Sequence, residues 1–502
     1  MRKIVLFGFL LCLFTQSTSA QRRENIWMIS PWSFVGSYSG LDFSTGVADT
    51  FSLARPTGFF ITNSGICDTN GNLIFYTNGV AISNAHHDTL LNSNDFNPGY
   101  ASTENSLQLN VSQGTLIVPK PGSDSLYYIF HVSGEEFTAH STLQQQPLDM
   151  KYTMVDMSMD NGLGGVPLDK KSISILNDTL ANGLITACKH GNGRDWWIKI
   201  PRFYSNLYYT FLLTGDTLLG PFIQNIGDSI RYDIDGQGCF SPDGSSYAEV
   251  TLDNSLNIFR FDRCTSLFYD ATHIQVPNPT PGYPDNEAFG LAFSANSRFL
   301  YVNLYTRIVQ YDTWAGDINS SLTYVARWDT FADPFYTYFY NAQLAPDNKI
   351  YIGTYGGDNI LHYINQPDSA GLNCQVIQNS FFLPYPNVSV PTYPNYDLGA
   401  LTGSPCDSLI ASVNSTSPKN NSFNIFPNPA SDYFWIKYDI PVKENAQLIL
   451  YNMLGEQMEI NNLYGSFKSL LVHTSQLSPG IYLYKVLMKN EMLSGGKIVI
   501  SR

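Results

Sequence analysis

Three adjacent side chains near the N-terminal end of the chain are of the types that bind metal ions or transfer protons. His86, His87 and Asp88 could supply two metal ligands, or an acid and a base. Successive side chains of a β-strand point to opposite faces, however, so neighbouring histidines rarely share one metal ion. We therefore expect this run to form a surface loop.

A second candidate places two carboxylates between two histidines. Glu135 and Glu136 lie between His131 and His140, within one polar stretch. Carboxylates in such a setting can act as general acid and general base. We favour a charged, solvated loop, because no further catalytic motif accompanies these residues.

Two stretches carry oxygen ligands at alternate positions, as calcium sites often do. They are Asp233 and Asp235 followed by Gly236, and Asp68, Asn70 and Asn72. Neither stretch continues into a complete calcium-binding loop with a terminal Glu. We expect tight turns at both places, keep calcium as the alternative, and expect no other cofactor.

One triplet has the residue types of a hydrolase nucleophile. Gly227, Asp228 and Ser229 lie between strands, without the strand-to-helix turn that exposes a nucleophilic serine. The chain also lacks the G-x-S-x-G, H-E-x-x-H and phosphate-loop motifs. We expect the triplet to form a turn and assign no catalytic, cofactor-binding or metal-binding residue.

Aromatic residues are the remaining candidates for a binding site. Trp196 and Trp197 are adjacent, and the run DPFYTYFYNAQ begins at Asp333. If the fold is a ring of β-sheets, aromatic side chains at its central opening could stack on sugar rings. Alternate aromatics of a strand more often pack in the core, so packing between sheets is the interpretation we favour.

The composition indicates strands as the elements that position these residues. Hydrophobic residues make up 43% of the 502 residues and charged residues only 14%, so the chain is globular. Aromatic residues reach 14%, and Gly and Pro interrupt the apolar runs throughout. The length is too great for one ordinary core and suggests several domains or a repeat architecture.

A repeat is visible in the middle of the chain. Three segments begin at Gly236, Gly290 and Asn341, and each has the pattern strand, four-residue turn, strand, short connection, strand. The turns are SPDG from Ser241, SANS from Ser294 and APDN from Ala345, and their starts lie 53 and 51 residues apart. Gly, Asn and Asp in such turns tolerate positive φ and close tight hairpins.

Looser copies of the hairpin begin at Cys67, Val118 and Cys188. Six hairpins at this spacing predict an all-β fold, a β-propeller of four-stranded blades between about Ile26 and Leu383. A seventh blade arises if residues near Tyr396 to Leu401 pair with the N-terminal strands and close the ring, which would remove exposed sheet edges. The sequence leaves six and seven blades open.

The N-terminus has the pattern of a secretory signal peptide. Arg2 and Lys3 precede a short apolar stretch, and small residues lead to a cleavage site between Ala20 and Gln21. Removing residues 1–20 changes the formal net charge from −14 to −16, because 28 basic residues become 26 against 42 acidic ones. Because this net charge repels nucleic acids and anionic membranes, we expect neither as a partner. We also expect no transmembrane segment in the mature chain.

Six cysteines remain after removal of the signal peptide, and an exported chain can form disulfides from them. We expect Cys239 to pair with Cys264, and Cys374 with Cys406, because each pair is close in sequence. The pairing of Cys67 with Cys188 follows by elimination. The sequence alone leaves all fifteen pairings possible.

The C-terminal residues resume a strand pattern after a polar stretch. Residues 408–422 are rich in Ser and Asn and are expected to form a linker. Residues 423–502 contain short strands joined by turns, which predicts a small β-sandwich. The segments FPNPASD, LYNMLGE, LSPGIYLYKV and GKIVIS resemble the type A C-terminal sorting domain, or Por secretion tail, of the type IX secretion system of Bacteroidetes.

The segments SPDGSSYAEV and SANSRFLYVN resemble WD-type and lactonase-like propellers. GLDFSTG, DTNGNLIFYTNGVAISN and GNGRDWWIKI resemble a group of exported Bacteroidetes propellers. The resemblance to a sorting domain implies export through the type IX machinery, after periplasmic transit, to the cell surface or the medium. The propeller resemblance implies a fold and leaves the activity open.

We therefore expect a signal peptide at 1–20, a β-propeller at 21–407, a linker at 408–422 and a sorting domain at 423–502. The favoured function is non-catalytic binding of an extracellular glycan or protein by loops on a rigid scaffold. A secreted hydrolase or lyase acting on polysaccharides or lactones is the first alternative. A structural component of the surface or gliding apparatus is the second.

Overall fold

The computed structural model divides the chain into two compact units, Met1–Leu409 and Ile410–Arg502. It describes residues 22–30, 36–103, 108–139, 142–182, 184–230, 236–277, 287–407, 423–441, 444–452, 456–465, 469–489 and 491–501. The expected signal peptide at 1–20, the cleavage site at Ala20 and Gln21, and the linker at 408–422 lie outside these residues. Each unit is described separately below.

The described part of the first unit contains eight antiparallel sheets. Seven of them follow one another along the chain, and we call them blades one to seven; the eighth is a two-stranded hairpin between two strands of blade three. Blades one and two have three strands each, and the other five have four. The strands of blades one to three are β1 (Ile26–Ile29), β2 (Ser37–Asp42), β3 (Asp49–Ala54), β4 (Ser64–Cys67), β5 (Leu73–Thr77), β6 (Ile82–Asn84), β7 (Thr115–Pro119), β8 (Leu126–Val132), β11 (Asp149–Asp156) and β12 (Ile173–Asn177). The separate hairpin consists of β9 (Glu135–Ala139) and β10 (Thr142–Gln146).

Blades four to seven each use four consecutive strands in order from the inside outward. They are β13 (Thr186–Lys189), β14 (Trp196–Pro201), β15 (Leu207–Leu213), β16 (Leu218–Asn225), β17 (Gly236–Phe240), β18 (Ser246–Thr251), β19 (Ser255–Phe261), β20 (Phe268–Gln275), β21 (Ala288–Phe293), β22 (Phe299–Leu304), β23 (Arg307–Asp312), β24 (Thr323–Arg327), β25 (Phe339–Leu344), β26 (Ile350–Thr354), β27 (Ile360–Ile364) and β28 (Val376–Phe382). Helical structure in the described residues is limited to α1 (Tyr100–Thr103) and short 3-10 turns at Asp160–Gly162, Leu168–Lys170, Asn319–Ser321 and Gly371–Cys374. The seven sheets confirm the predicted all-β propeller.

The repeated four-residue turns explain why blades five to seven resemble one another. The third turn residue accepts a hydrogen bond from the backbone N–H two positions later, at 2.9 Å for Asp243, 3.0 Å for Asn296 and 3.2 Å for Asp347. The fourth residue has positive φ in every case: 71° at Gly244, 65° at Ser297 and 62° at Asn348. Each turn thus joins the innermost strand of its blade to the next strand through side-chain capping and a left-handed residue.

The ring closes through packing between blades one and seven. Trp27 is fully buried, and its ring centroid lies 5.8 Å from that of Tyr351 in β26 and 6.1 Å from that of Tyr393. Val390 belongs to the same hydrophobic cluster, although no strand is assigned within the described residues 383–407. Residues near Tyr396 to Leu401 therefore do not form the closing strand, because the segment just before them packs against β1.

Residues 387–406, which we call the channel segment, run along the inner side of the ring. Asn341 of β25 donates to the Val390 carbonyl at 2.7 Å and accepts from the Val390 N–H at 3.0 Å. The Gln343 side chain accepts from the Tyr393 N–H at 3.1 Å. The channel segment thus lies alongside β25 and runs in the same direction, held by amide side chains.

A disulfide joins the end of the channel segment to blade five. Cys264, after β19, is bonded to Cys406, and their Cα atoms are 5.6 Å apart. Cys67, Cys188, Cys239 and Cys374 have free thiols. The expected pairings of Cys239 with Cys264, Cys374 with Cys406 and Cys67 with Cys188 are therefore wrong in this structure. Proximity in sequence was a poor guide because the channel segment returns the chain end to blade five.

The second unit consists of two sheets around one hydrophobic core. The first contains β29 (Asn424–Phe426), β30 (Tyr433–Lys437) and β33 (Ser469–His473), and the second contains β32 (Gln457–Tyr464), β31 (Asn445–Tyr451), β34 (Gly480–Met488) and β35 (Glu491–Ile500). Alternate residues of β30 point inward, and Phe434 and Ile436 share a core with Leu448 and Val486. In the described residues of both units, no helix is long and apolar enough to cross a bilayer.

Candidate ligand-binding site

Aromatic side chains gather at one end of blades six and seven. Phe289 and Tyr340 stand near the starts of the innermost strands β21 and β25. Tyr305 and Tyr355 directly follow β22 and β26, whose ends lie beside those starts because the strands are antiparallel. The sheet register therefore places all four aromatic side chains at the end of the propeller where the innermost strands begin.

The connection from β24 to β25 adds three more rings to this group. They are Trp328, Tyr336 and Tyr338, and we call the seven residues the aromatic cluster. Tyr305 stacks on Tyr338 with ring centroids 4.1 Å apart and an interplanar angle of 28°. Tyr336 meets Trp328 nearly at right angles, with centroids 5.7 Å apart. These stacked and edge-on contacts are the favoured geometries of aromatic pairs, so the cluster is a rigid platform.

The rings border an open cleft of about 420 Å³. Its lining residues are Tyr305, Ala332, Pro334, Phe335, Tyr336, Tyr338, Tyr355 and Gly356, and none of these carries a charge. Phe335 and Tyr336 are each 56% exposed and Tyr355 is 43% exposed. Large aromatic side chains normally bury most of their surface, so this concentration of exposed rings in one concave site makes the cleft the candidate for a binding site.

The loop of residues 329–338, which we call the cleft loop, forms one wall of the cleft. Asp329 holds its start, because one carboxylate oxygen accepts from the Phe331 N–H at 3.0 Å and the other from the Asn379 amide at 2.8 Å. Inside the loop, the Thr337 hydroxyl donates to the Phe331 carbonyl at 3.2 Å. The loop conformation is thus set by polar contacts to blade seven and within itself.

A buried histidine supports the end of the cleft loop. His362 of β27 has no exposed surface, and its Nε2 donates to the Thr337 carbonyl at 2.8 Å. Its Nδ1 accepts from the Asn379 N–H at 3.2 Å, which defines a neutral imidazole with the proton on Nε2. Burial lowers the pKa of His362 to about 4, so this arrangement persists at neutral pH.

Two carboxylates accompany the cleft without lining it. Asp358, 1% exposed, accepts from the Phe335 N–H at 3.4 Å, while its Oδ2 has no hydrogen-bond partner among the described residues. Burial raises the pKa of Asp358, and the charge of Asp333 raises that pKa further. Asp333 itself is exposed on the cleft loop. One exposed and one buried carboxyl group therefore accompany a cleft whose lining residues are uncharged.

The opposite end of the ring contains a second cavity, of about 410 Å³, which we call the channel cavity. It is bordered by the ends of the innermost strands and by the channel segment. Gln113 bridges across to Gly238 by two hydrogen bonds of 2.9 and 2.8 Å. Glu24 and Asp397 both line this cavity, and burial followed by the charge of Asp397 raises the pKa of Glu24 to about 8.

The structure assigns structural positions to the histidine and carboxylate candidates of the sequence. His86 to Asp88 form a tight turn after β6, in which the Asn84 side chain accepts from two backbone N–H groups and His87 contacts Tyr76 at 3.1 Å. His131 is fully buried in β8 beside Thr153, at 3.2 Å, and burial lowers its pKa to about 3.

Glu135 and Glu136 belong to the hairpin β9–β10 and not to one loop with His131, so that expectation is wrong. His140 lies outside the described residues.

Of the three remaining polar candidates, the two in the described residues form a turn and a bend. Asp68 accepts from the N–H groups of Asn70 and Asn72 and from the Asn72 amide, which occupies its carboxylate within the turn between β4 and β5. The Asp233 and Asp235 pair lies outside the described residues. Gly227 has a φ of 72° in a bend after β16. In the described part of the chain, no three His, Cys, Asp or Glu side chains are grouped to hold a metal ion.

The aromatic candidates divide between core and cleft. Trp196 and Trp197 are 1% and 3% exposed in β14, as expected for core residues. The run from Asp333 continues into the buried Phe339 and Tyr340, but its first aromatics form the cleft. Tyr305 and Tyr355 were missed, although aligning the repeats places both at the same position, four residues after the Tyr that begins YVNLY and YIGTY.

Comparison with known proteins identifies the second unit. Residues 424–501 match the family model described as secretion system C-terminal sorting domain, the Por secretion tail. No curated protein matches the chain significantly. The matched residues span both sheets of the second unit, so the predicted sorting domain is confirmed.

Three solved structures are similar to this chain at low sequence identity. A functionally unknown protein from Desulfotomaculum acetoxidans is 14% identical with a TM-score of 0.37, covering 74% of this chain and 99% of its own. A candidate 6-phosphogluconolactonase from Bacteroides uniformis is 11% identical with a TM-score of 0.38, covering 73% and 99%. The Cps50 (Swd1) β-propeller domain of Myceliophteria thermophila is 9% identical with a TM-score of 0.31, covering 75% and 94%.

The propeller assignment rests on the order of the seven sheets in this chain. The family match adds the route of export, since a Por secretion tail directs its protein through the type IX secretion system to the cell surface or the medium. The C-terminal unit therefore belongs to the Por secretion tail family, and the chain is a β-propeller protein exported by the type IX secretion system.

Proposed function

We propose that the propeller is a non-catalytic extracellular binding protein and that its ligand is a carbohydrate held in the aromatic cleft. The observation that carries this proposal is the exposure of Phe335, Tyr336 and Tyr355 around one concave site of about 420 Å³. Export to the cell surface brings this site into contact with extracellular polymers. Ligand binding is the role that a rigid scaffold with one aromatic mouth supports best.

The chemistry of the cleft suits sugar rings. The C–H faces of a pyranose are apolar and pack against aromatic rings, whereas its hydroxyl groups need hydrogen-bond partners at the edges. Four of the five aromatic lining residues are tyrosines, which combine an apolar face with a polar hydroxyl group. The cleft loop is fixed by Asp329 and His362, so little conformational entropy is lost when a ligand binds.

A glycan array probed with the mature full-length protein tests the proposal. We expect binding to a restricted set of glycans, and replacement of Phe335 and Tyr336 by Ala should abolish it. The matched control is Trp314→Ala, which removes an aromatic that is 59% exposed and follows β23 at the opposite end of the ring. Binding that is unchanged in the Phe335 and Tyr336 variant would contradict the proposal.

A secreted hydrolase or lyase is the second candidate, and the channel cavity is the observation that favours it. Glu24 with its raised pKa could donate a proton near neutral pH, and Asp397 could accept one. Turnover of a polysaccharide or lactone that is lost in Glu24→Gln and retained in Phe335→Ala would establish this function. Absence of turnover in purified protein that binds glycans would favour the first proposal.

A further inference from the structure

We infer that the aromatic cleft selects glycans that carry protonated amino groups, such as polymers of glucosamine, over neutral and anionic glycans. This inference rests on the proposed function, because it names the sugar class for the same site. It is based on the charges around the cleft, on one buried carboxylate oxygen, and on the arrangement of the rings.

The cleft loop carries two acidic side chains and no basic one. Asp333 is exposed on the cleft loop, and Asp329 holds the start of that loop. The eight lining residues include no Lys, Arg or His. A carboxylate or sulfate group on a sugar would therefore find no cation among the lining residues and would approach the carboxylate of Asp333, which costs affinity.

Asp358 adds a buried carboxyl group beside the cleft loop. It is 1% exposed, and its Oδ1 accepts from the N–H of Phe335, a lining residue. Its Oδ2 has no hydrogen-bond partner among the described residues. A buried carboxylate without a full set of donors is stabilised by a nearby positive charge, even when the two groups do not touch. A cation bound in the cleft supplies such a charge.

Besides the carboxyl groups, the aromatic side chains of the cleft offer surfaces that attract a cation. The centroids of Tyr305 and Tyr355 lie 5.5 Å apart, with their planes at 60°. Tyr305 is stacked on Tyr338, so the cleft has aromatic walls in two orientations. The face of each ring carries negative potential, and an ammonium group placed over such faces is attracted in addition to any charge pairing. Amino sugars present this group on an apolar ring that can stack.

The test compares oligosaccharides that differ only in charge. Glucosamine oligomers and N-acetylglucosamine oligomers of equal length are titrated calorimetrically into the mature full-length protein. The pH should be mildly acidic, so that the amino groups are protonated, but well above the pKa of His362. We expect the glucosamine oligomer to bind about tenfold more tightly, as one cation–aromatic contact and one charge pair would give.

Two variants separate charge from shape. Asp333→Asn keeps the size of an exposed side chain and should reduce the preference for glucosamine about threefold. Asp169→Asn is the matched control, because the Asp169 side chain is 77% exposed in a turn of blade three, and it should leave the preference unchanged. Phe335→Ala should weaken both oligomers.

The outcomes distinguish this inference from the function on which it rests. Equal affinity for the two oligomers, or tighter binding of a uronic acid oligomer, would overturn the inference while carbohydrate binding stands. Failure of the protein to bind any glycan of the array would overturn the proposed function. Binding of a lysine-rich peptide, lost in Phe335→Ala and without binding of glucosamine oligomers, would assign the cation site to protein ligands and overturn the inference.

Discussion

Cys264 and Cys406 are separated by 142 positions in the chain, yet their Cα atoms lie 5.6 Å apart across a disulfide. The bond fixes the end of the channel segment to blade five. Nearby, the Leu401 N–H donates to the Gly191 carbonyl at 2.7 Å, so the same region is also held by a backbone hydrogen bond. The last part of the propeller chain is therefore fastened to blades four and five after it has passed along β25.

Removal of this disulfide should destabilise the propeller. A crosslink over so long a loop restricts the unfolded chain, and its loss typically costs about 2–4 kcal/mol. We expect a reductant to lower the unfolding midpoint of the native protein in a denaturant titration. The double variant Cys264→Ser, Cys406→Ser should start at the lower midpoint and not respond to the reductant. An equal response of both proteins would show that the effect does not come from this bond.

Ring closure by Trp27 leads to a second prediction. Its side chain is fully buried between Phe43, at 5.1 Å between centroids, and Tyr351. Trp27→Ala should leave a cavity between blades one and seven and lower the free energy of unfolding by about 3–5 kcal/mol. Trp314→Ala, at a 59% exposed position, should change it by less than about 0.5 kcal/mol. Similar losses in both variants would contradict closure through Trp27.

The turns made most of the propeller predictable from the sequence. Asp243, Asn296 and Asp347 recur with the same spacing and make the same backbone hydrogen bond, so local chemistry reveals blades five to seven. The sequence left open whether the N-terminal strands form a seventh blade, because what is now blade one lacks this turn. Residues of its strands β1 and β2 share a hydrophobic cluster with Val390 of the channel segment, more than three hundred positions away in the chain. Such a contact leaves no local signal.

The candidate site was only partly predictable for a related reason. The run after Asp333 was identified as aromatic, but alternation along a strand suggested burial, whereas Phe335 and Tyr336 precede β25 and lie on a loop. Tyr305 and Tyr355 follow strands of two different blades, and only the packing of these blades in the propeller brings the two side chains together. The disulfide was mispredicted because the path of the channel segment cannot be inferred from spacing.

The two buried histidines predict how stability depends on pH. Burial lowers the pKa of His362 to about 4 and that of His131 to about 3, whereas an unfolded histidine titrates near 6.5. Between these values the unfolded state binds more protons, so the stability contributed by the neutral histidines is present above about pH 6.5 and is lost as the pH falls.

Denaturant titrations from pH 7 to 4 measure this loss. Carboxyl groups with raised pKa values, such as Glu24 at about 8, change stability in the opposite direction on acidification, so a variant is needed for comparison. His362→Gln keeps a donor for the Thr337 carbonyl but cannot take up a proton. We expect its stability to fall less steeply with decreasing pH than that of the native protein. Parallel curves would contradict the role assigned to His362.

Export should depend on the folded sorting domain. Val486 is fully buried between the two sheets of the second unit, and Val486→Asp places a charge in that core. We expect this variant, like deletion of residues 423–502, to accumulate in the periplasm with a folded propeller. Lys485→Ala, at the exposed neighbouring position, should reach the surface normally. Cell fractionation and surface proteolysis distinguish the two, and surface delivery of the deletion variant would contradict the assignment.

Asp329 is expected to control ligand affinity without touching the ligand. Its carboxylate accepts from the Phe331 N–H and from the Asn379 amide, so Asp329→Ala releases the start of the cleft loop. Because the side chain is exposed, global stability should change by less than about 1 kcal/mol. The loop must then be ordered when the ligand binds, which we expect to raise the Kd for the best glycan of the array about threefold to tenfold.

Asp329→Asn retains an oxygen that can accept from the Phe331 N–H and should restore most of the affinity. Hydrogen exchange of residues 329–338 provides an independent measurement, since protection of the loop amides should fall in Asp329→Ala and recover in Asp329→Asn. If affinity is lost equally in both variants while loop protection is unchanged, then the charge of Asp329 acts on the ligand directly, and its role in holding the loop is wrong.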